Sequence, residues 1–122
     1  MRPSALLVLT TVPDRAAARR LAGRVLDAGL AACATVSGPV ESHYTWKGRR
    51  ECAQERAVLF KLPARGYAAL EALLRSVHPY ECPEILAFPA AAGWPPYLAW
   101  LEAQVPPVRT PRKKTKKNAT SR

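Results

Sequence analysis

The densest run of chemically able side chains is His78-Pro79-Tyr80-Glu81-Cys82-Pro83-Glu84. It sets an imidazole, a phenol, a thiol and paired carboxylates close together. Nitrogen, sulfur and oxygen donors in one segment suit a borderline divalent metal such as copper or zinc. Pro79 and Pro83 fix φ and stiffen the segment, so its side chains have little entropy left to lose on binding. The spacing fits no zinc signature, and CxxC and HExxH are absent from the sequence. A structural reading competes: His78 closes the end of a helix, and Tyr80 packs in an interface. His78, Cys82 and Glu84 are the candidate metal ligands.

The remaining reactive side chains are scattered. His43 falls in a polar arm, which suits a surface or interface role better than catalysis. Cys33, within Ala31-Ala32-Cys33-Ala34, reads as a small core residue. Cys52 falls on a polar strand and is expected to be exposed. A Cys82–His78 nucleophile pair has no orienting third group. There is no glycine-rich phosphate loop and no GxSxG elbow. Acylphosphatase chemistry needs an Arg and an Asn, and the one Asn, Asn118, lies at the far C-terminus. The chain therefore reads as a binding protein, not an enzyme.

These residues need elements to position them. Ser4 to Thr11 is a short apolar, β-rich strand bounded by Pro13. Asp14 is placed to cap a helix in which Leu21, Ala22, Val25 and Ala28 recur at helical spacing, and Gly29 stops it. Arg15, Arg19, Arg20 and Arg24 fall on the solvated side. Leu30 to Trp46 reads as one long strand with a bulge or bend at Gly38-Pro39. Lys47-Gly48 supplies a tight turn, and Arg49 to Leu62 returns. The polar distal half of this hairpin projects beyond the core, and its open edges call for pairing with another subunit. Pro63 to Val77 is a second helix with Tyr67, Leu70, Leu73, Leu74 and Val77 as its stripe and a Glu71–Arg75 pair outside. Glu84 to Pro89 is a strand, and a last helix starts near Pro95 with Tyr97, Leu98 and Leu101 as its packing face.

Strand, helix, strand, strand, helix, strand, helix is an α+β, ferredoxin-like βαββαβ sandwich with an extra C-terminal helix and a long β2–β3 hairpin. Its helices cover one sheet face. The other face is apolar too, which argues for an oligomer in which sheets pack on sheets.

The chain has 122 residues and a formal charge of +10. That length suits one domain, over residues 1–106. Seven of the 19 basic residues, and none of the nine acidic ones, fall in residues 107–122. This tail has almost no large apolar residue and is expected to be disordered. Arg112, Lys113, Lys114, Lys116 and Lys117 could hold polyanions such as nucleic acid nonspecifically, without an interleaved aromatic to stack on bases. Apolar runs are too short to span a bilayer. The first residues read as a strand instead of a signal peptide, and an odd cysteine count favours free thiols, so the expected compartment is the cytoplasm.

Taken together, several segments resemble the CutA family of divalent-cation tolerance proteins. They are Thr11-Val12-Pro13-Asp14, Leu30-Ala31-Ala32-Cys33-Ala34-Thr35-Val36, Tyr44-Thr45-Trp46-Lys47-Gly48, Glu55, Lys61, His78-Pro79-Tyr80, Pro83-Glu84-Ile85 and Tyr97-Leu98-Ala99-Trp100-Leu101. The likeness spans roughly residues 4 to 104. It implies a homotrimer of ferredoxin-like subunits, similar in architecture to the PII signalling proteins, and a link to copper and other divalent cations. It implies no enzymatic activity. The family's proposed copper ligands are a Cys ending the first strand and a His-His pair before Pro-Tyr. Here those positions hold Thr10, Val77 and His78, so a surviving site needs Cys82, Glu84 or another subunit. Interface clefts lined by Tyr44, Trp46, Glu55, Lys61, His78, Tyr80 and Glu84 would hold a metal or, in a PII-like sensor, a small ligand.

Overall fold

The computed structural model of the protein describes residues 4–107. The basic run from Arg112 to Lys117 lies outside the described residues. The elements are β1 (Ala5–Val12), α1 (Arg15–Asp27), β2 (Cys33–Trp46), β3 (Arg49–Pro63), a 3-10 turn (Ala64–Gly66), α2 (Tyr67–Val77), β4 (Leu86–Pro89) and α3 (Pro95–Gln104). The strands form one antiparallel sheet in the order β2-β3-β1-β4, the ferredoxin-like arrangement.

Local chemistry sets the boundaries. Asp14 is extended, and its carboxylate accepts the Ala17 N–H at 2.8 Å, capping α1. Gly29, at φ 69°, takes the left-handed conformation that ends the helix. Lys47 and Gly48 both have positive φ, 52° and 78°, as a two-residue hairpin turn that matches strand twist requires. The expected bulge falls between Val36 and Pro39, where the β2–β3 register shifts. Ser37 closes that irregularity: its hydroxyl oxygen accepts the Ala57 N–H at 2.8 Å.

The main core lies between the sheet and the pair α1 and α2. Val8 faces Phe60 across the β1–β3 ladder, and both are fully buried. Val12, Val58 and Leu62 extend this layer, and Leu21, Val25, Leu70 and Leu74 close it from the helices. Strand alternation sends Leu7, Leu9 and Leu59 to the opposite face, beside Leu86 and Phe88 of β4. Leu86 and Phe88 remain 50% and 47% exposed.

α3 buries Leu101 of its expected packing face, at 3% exposure, and its Tyr97 Oη stands 4.0 Å from Cys33 Sγ. Three expectations need correction. Cys33 alternates to the face away from Phe60. Cys33 is accordingly half-buried and not a core residue. Glu71 accepts from the Tyr67 hydroxyl at 3.0 Å instead of pairing with Arg75, because Tyr67 stands one turn before it on the same stripe. Pro63 ends β3, so the α-helix begins only at Tyr67. Arg65, in the intervening turn, donates to Glu102 Oε2 at 2.7 Å and to the Val105 carbonyl at 2.7 Å, fastening the end of α3.

Two substitutions test this hierarchy. Phe60→Ala should cost about 3–5 kcal/mol of stability by leaving a core cavity. Asp14→Ala, which removes only a cap, should cost about 1 kcal/mol. Urea denaturation of the two variants measures both; equal costs would contradict the assignment.

Candidate functional site

The β2–β3 hairpin and the segment joining α2 to β4 enclose a cleft of about 640 Å³. Its lining is Thr11, Ser42, His43, Tyr44, Trp46, Glu55, Tyr80, Glu81, Cys82 and Glu84. The hairpin wall follows from register. Val40 pairs with Glu55, Ser42 with Ala53, Tyr44 with Glu51 and Trp46 with Arg49, so the even residues of distal β2 share a face with Glu55. Tyr44 and Trp46 are 43% and 41% exposed, large apolar rings that the described residues do not cover.

At the floor, Glu55 is buried to 7% exposure. The Tyr80 hydroxyl donates to its Oε2 at 2.7 Å. A buried carboxylate requires such a donor, and a bond to a charged group is short and strong. Burial, then the Glu55 hydrogen bond and charge, push the Tyr80 phenol far above its usual range. The phenol therefore stays protonated and remains the donor.

Tyr80 is held in turn by His78. The His78 backbone caps α2, its N–H donating to the Leu74 carbonyl at 2.9 Å. Its ring Nδ1 accepts the Tyr80 backbone N–H at 3.1 Å, and its Nε2 lies 2.9 Å from Thr10 Oγ1. Because Nδ1 accepts, the neutral ring carries its proton on Nε2 and donates it to Thr10. Both ring nitrogens are thereby engaged inside the protein. Burial lowers the His78 pKa, against opposing pulls from the Thr11 backbone and the Glu55 charge. A second ring proton would also point at the Tyr80 N–H, donor against donor.

The sequence-derived residues thus separate into groups. Tyr44, Trp46, Glu55, Tyr80, Cys82 and Glu84 meet at one cleft. His78 does not line it and offers it no lone pair, so it is a positioning residue here. Lys61 is not in the cleft either; it sits far along β3, paired with Leu7 and Cys33, and its Nζ donates to Thr35 Oγ1 at 3.1 Å. Glu84 precedes β4, which begins at Leu86. Sequence reasoning missed Ser42 and Thr11, whose places depend on register, and Thr10 as the partner of His78. Among the described residues, His78, Cys82 and Glu84 do not converge as ligands; the one converging group of metal-donor side chains is Glu41, His43 and Cys52.

An antiparallel α+β sandwich of ferredoxin-like topology, with a hairpin-walled cleft of aromatic rings and carboxylates, is the class this architecture defines. The profile of the CutA1 divalent ion tolerance protein family matches residues 6–104, and the chain belongs to that family. The divalent-cation tolerance protein CutA of Citrobacter koseri is 42% identical over 103 residues, covering 84% of this chain and 90% of that protein. The crystal structure of CutA1 from Shewanella sp. SIB1 superposes with a TM-score of 0.84 at 37% identity, covering 88% of this chain and all of that one. CutA from Archaeoglobus fulgidus, described as periplasmic, gives a TM-score of 0.80 at 30% identity over 84% of this chain and 99% of its own.

Removing the Tyr80 hydroxyl should strand the Glu55 carboxylate. Tyr80→Phe is expected to cost about 1–3 kcal/mol, and Glu55→Gln in the same background should recover part of it, by chemical denaturation. The His78 linkage gives a pH effect. Its folded pKa lies below the ordinary 6.5, so the unfolded chain binds the proton more readily. The His78 contribution is full above pH 6.5 and is lost as pH falls through the folded value. The melting temperature should drop below that pH, and His78→Gln should flatten the drop. A slope unchanged in the variant would reject the assignment.

Proposed function

We propose that the protein is a homotrimeric divalent-cation binder and that the cleft at Tyr80 is where it engages the ion. Family membership supports the cation link. The donor set supports the place: Glu81, Cys82 and Glu84 line the cleft with the Glu55 carboxylate at its floor. Oxygen and thiol donors fit a borderline metal such as zinc or copper. In this reading the exposed Cys82 and Glu84, which do not converge beforehand, close on the ion as it binds, and His78 acts by holding Tyr80 and its segment in place. The metal supplies only charge and coordination. The protein's own groups shape the site, keep the Tyr80–Glu55 pair dry and set the approach past Tyr44 and Trp46. It works by binding, not by catalysis.

The trimer reading rests on surface chemistry. Leu86, Phe88, Trp94 and Trp100 are all exposed at 44% or more in the single chain. Such apolar exposure favours burial by association. The cytoplasm is the proposed compartment, in keeping with free Cys33, Cys52 and Cys82. No helix among the described residues is long and apolar enough to cross a membrane.

The exposed Tyr44 and Trp46 rings favour a second reading, in which the cleft takes a small organic ligand and the trimer signals as a PII-like sensor. A metabolite that raises the melting temperature of wild type but not of Trp46→Ala would favour it.

Calorimetric titration of Zn(II), then Cu(II), tests the cation reading. Wild type should bind at about micromolar Kd or tighter, and Cys82→Ser combined with Glu84→Gln should weaken the cleft event about tenfold or more. Heats that ignore the double variant would remove it. Sedimentation equilibrium should return the mass of three chains, and Phe88→Glu should lower it.

A further inference from the structure

The hairpin carries a separate donor set that the cleft does not use. His43 of β2 and Cys52 of β3 are directly opposed in the ladder, and Glu41 stands two residues before His43. Alternation places all three on the ribbon face away from Tyr44, Trp46 and Glu55, although His43 also reaches the cleft's lining. His43 Nε2 lies 3.2 Å from Glu41 Oε1 and 3.8 Å from Cys52 Sγ. The three ligand atoms all fall within 4.8 Å of one another. A tetrahedral ion with ligand bonds of about 2.0–2.3 Å holds its ligands about 3.3–3.8 Å apart. The His43 contacts already match that edge, so only small movements of exposed side chains complete the triangle.

The geometry points to a second divalent-cation site, formed by Glu41, His43 and Cys52, that takes zinc or an ion of similar size and softness with solvent as its remaining ligand. Imidazole, thiolate and carboxylate are the three ligand types zinc accepts. The strands hold two of the ligands at fixed separation before the ion arrives. Desolvation and the neighbouring Glu41 carboxylate raise the Cys52 pKa, so the free site holds a protonated thiol. Binding forms the metal–sulfur bond and releases that proton to solvent. This site is independent of the cleft reading: it shares no ligand with Cys82 or Glu84.

Cobalt(II) titration of the full-length, reduced protein tests it. Wild type should develop a near-ultraviolet thiolate-to-cobalt charge-transfer band that zinc displaces. The band should persist in Cys82→Ser with Glu84→Gln, where the cleft thiolate is gone, and in that background Cys52→Ser and His43→Ala should each abolish it. Absence of the band from the Cys82→Ser, Glu84→Gln protein, or its survival when either hairpin substitution is added, overturns the proposal. A measurement on wild type alone guards against variants that misfold. Zinc should slow alkylation of Cys52 about tenfold or more, the protection expected when most of the thiol is metal-bound, while Cys33 reacts unchanged. Equal protection of both, or of neither, overturns the site. Loss of the cleft event in calorimetry leaves this band untouched, so the two readings fail separately.

Discussion

A single buried carboxylate organises the site. Glu55 sits on β3 with almost no access to water, and Tyr80 reaches across to donate a hydrogen bond to its carboxylate there. That bond fixes how close the α2–β4 segment lies to the hairpin, and so the width of the cleft. Tyr80 is in turn steadied through its own backbone by His78, and His78 by Thr10 at the centre of the sheet. The chain of contacts runs from the core to the cleft floor without a gap. Each polar side chain in it makes at least one hydrogen bond within the network, and bonds linked in this way in a low-dielectric surrounding strengthen one another.

The sheet that carries this network has two apolar faces. The Val8–Phe60 layer against α1 and α2 supplies the burial that holds a subunit together. The Leu7, Leu9 and Phe88 layer is left partly open. A chain of this size can complete a single core on its own but has little material to cover a second. The division of labour between the faces explains why a cleft and an exposed apolar face coexist on one small sheet.

Much of this was legible in the sequence because the signals were local. Asp14, Gly29, Lys47-Gly48 and the break at Gly38-Pro39 each demand a particular backbone conformation, and each boundary fell where they stand. The cleft aromatics and Glu55 came from resemblance to the CutA family, and the structure gathers them. What escaped was set at a distance. The engagement of both His78 nitrogens depends on Thr10, far away in sequence, and the displacement of Lys61 from the cleft depends on how far along β3 it lies. The Glu41, His43 and Cys52 group was invisible because no linear spacing records a cross-strand neighbour; hairpin register, read outward from Lys47-Gly48, was the signal that could have found it.

The bulge between Val36 and Pro39 acts as a phase slip. Before it, the odd residues Cys33 and Thr35 share a face with Lys61; beyond it, the even residues Val40, Ser42, Tyr44 and Trp46 share that face. A register that ran through without the extra residue would exchange the two sets. Tyr44 and Trp46 would turn away from Tyr80, and Glu41 and His43 would turn away from Cys52. One unpaired residue, closed by the Ser37 hydroxyl, thus decides which surface of the hairpin is aromatic and which is rich in metal donors.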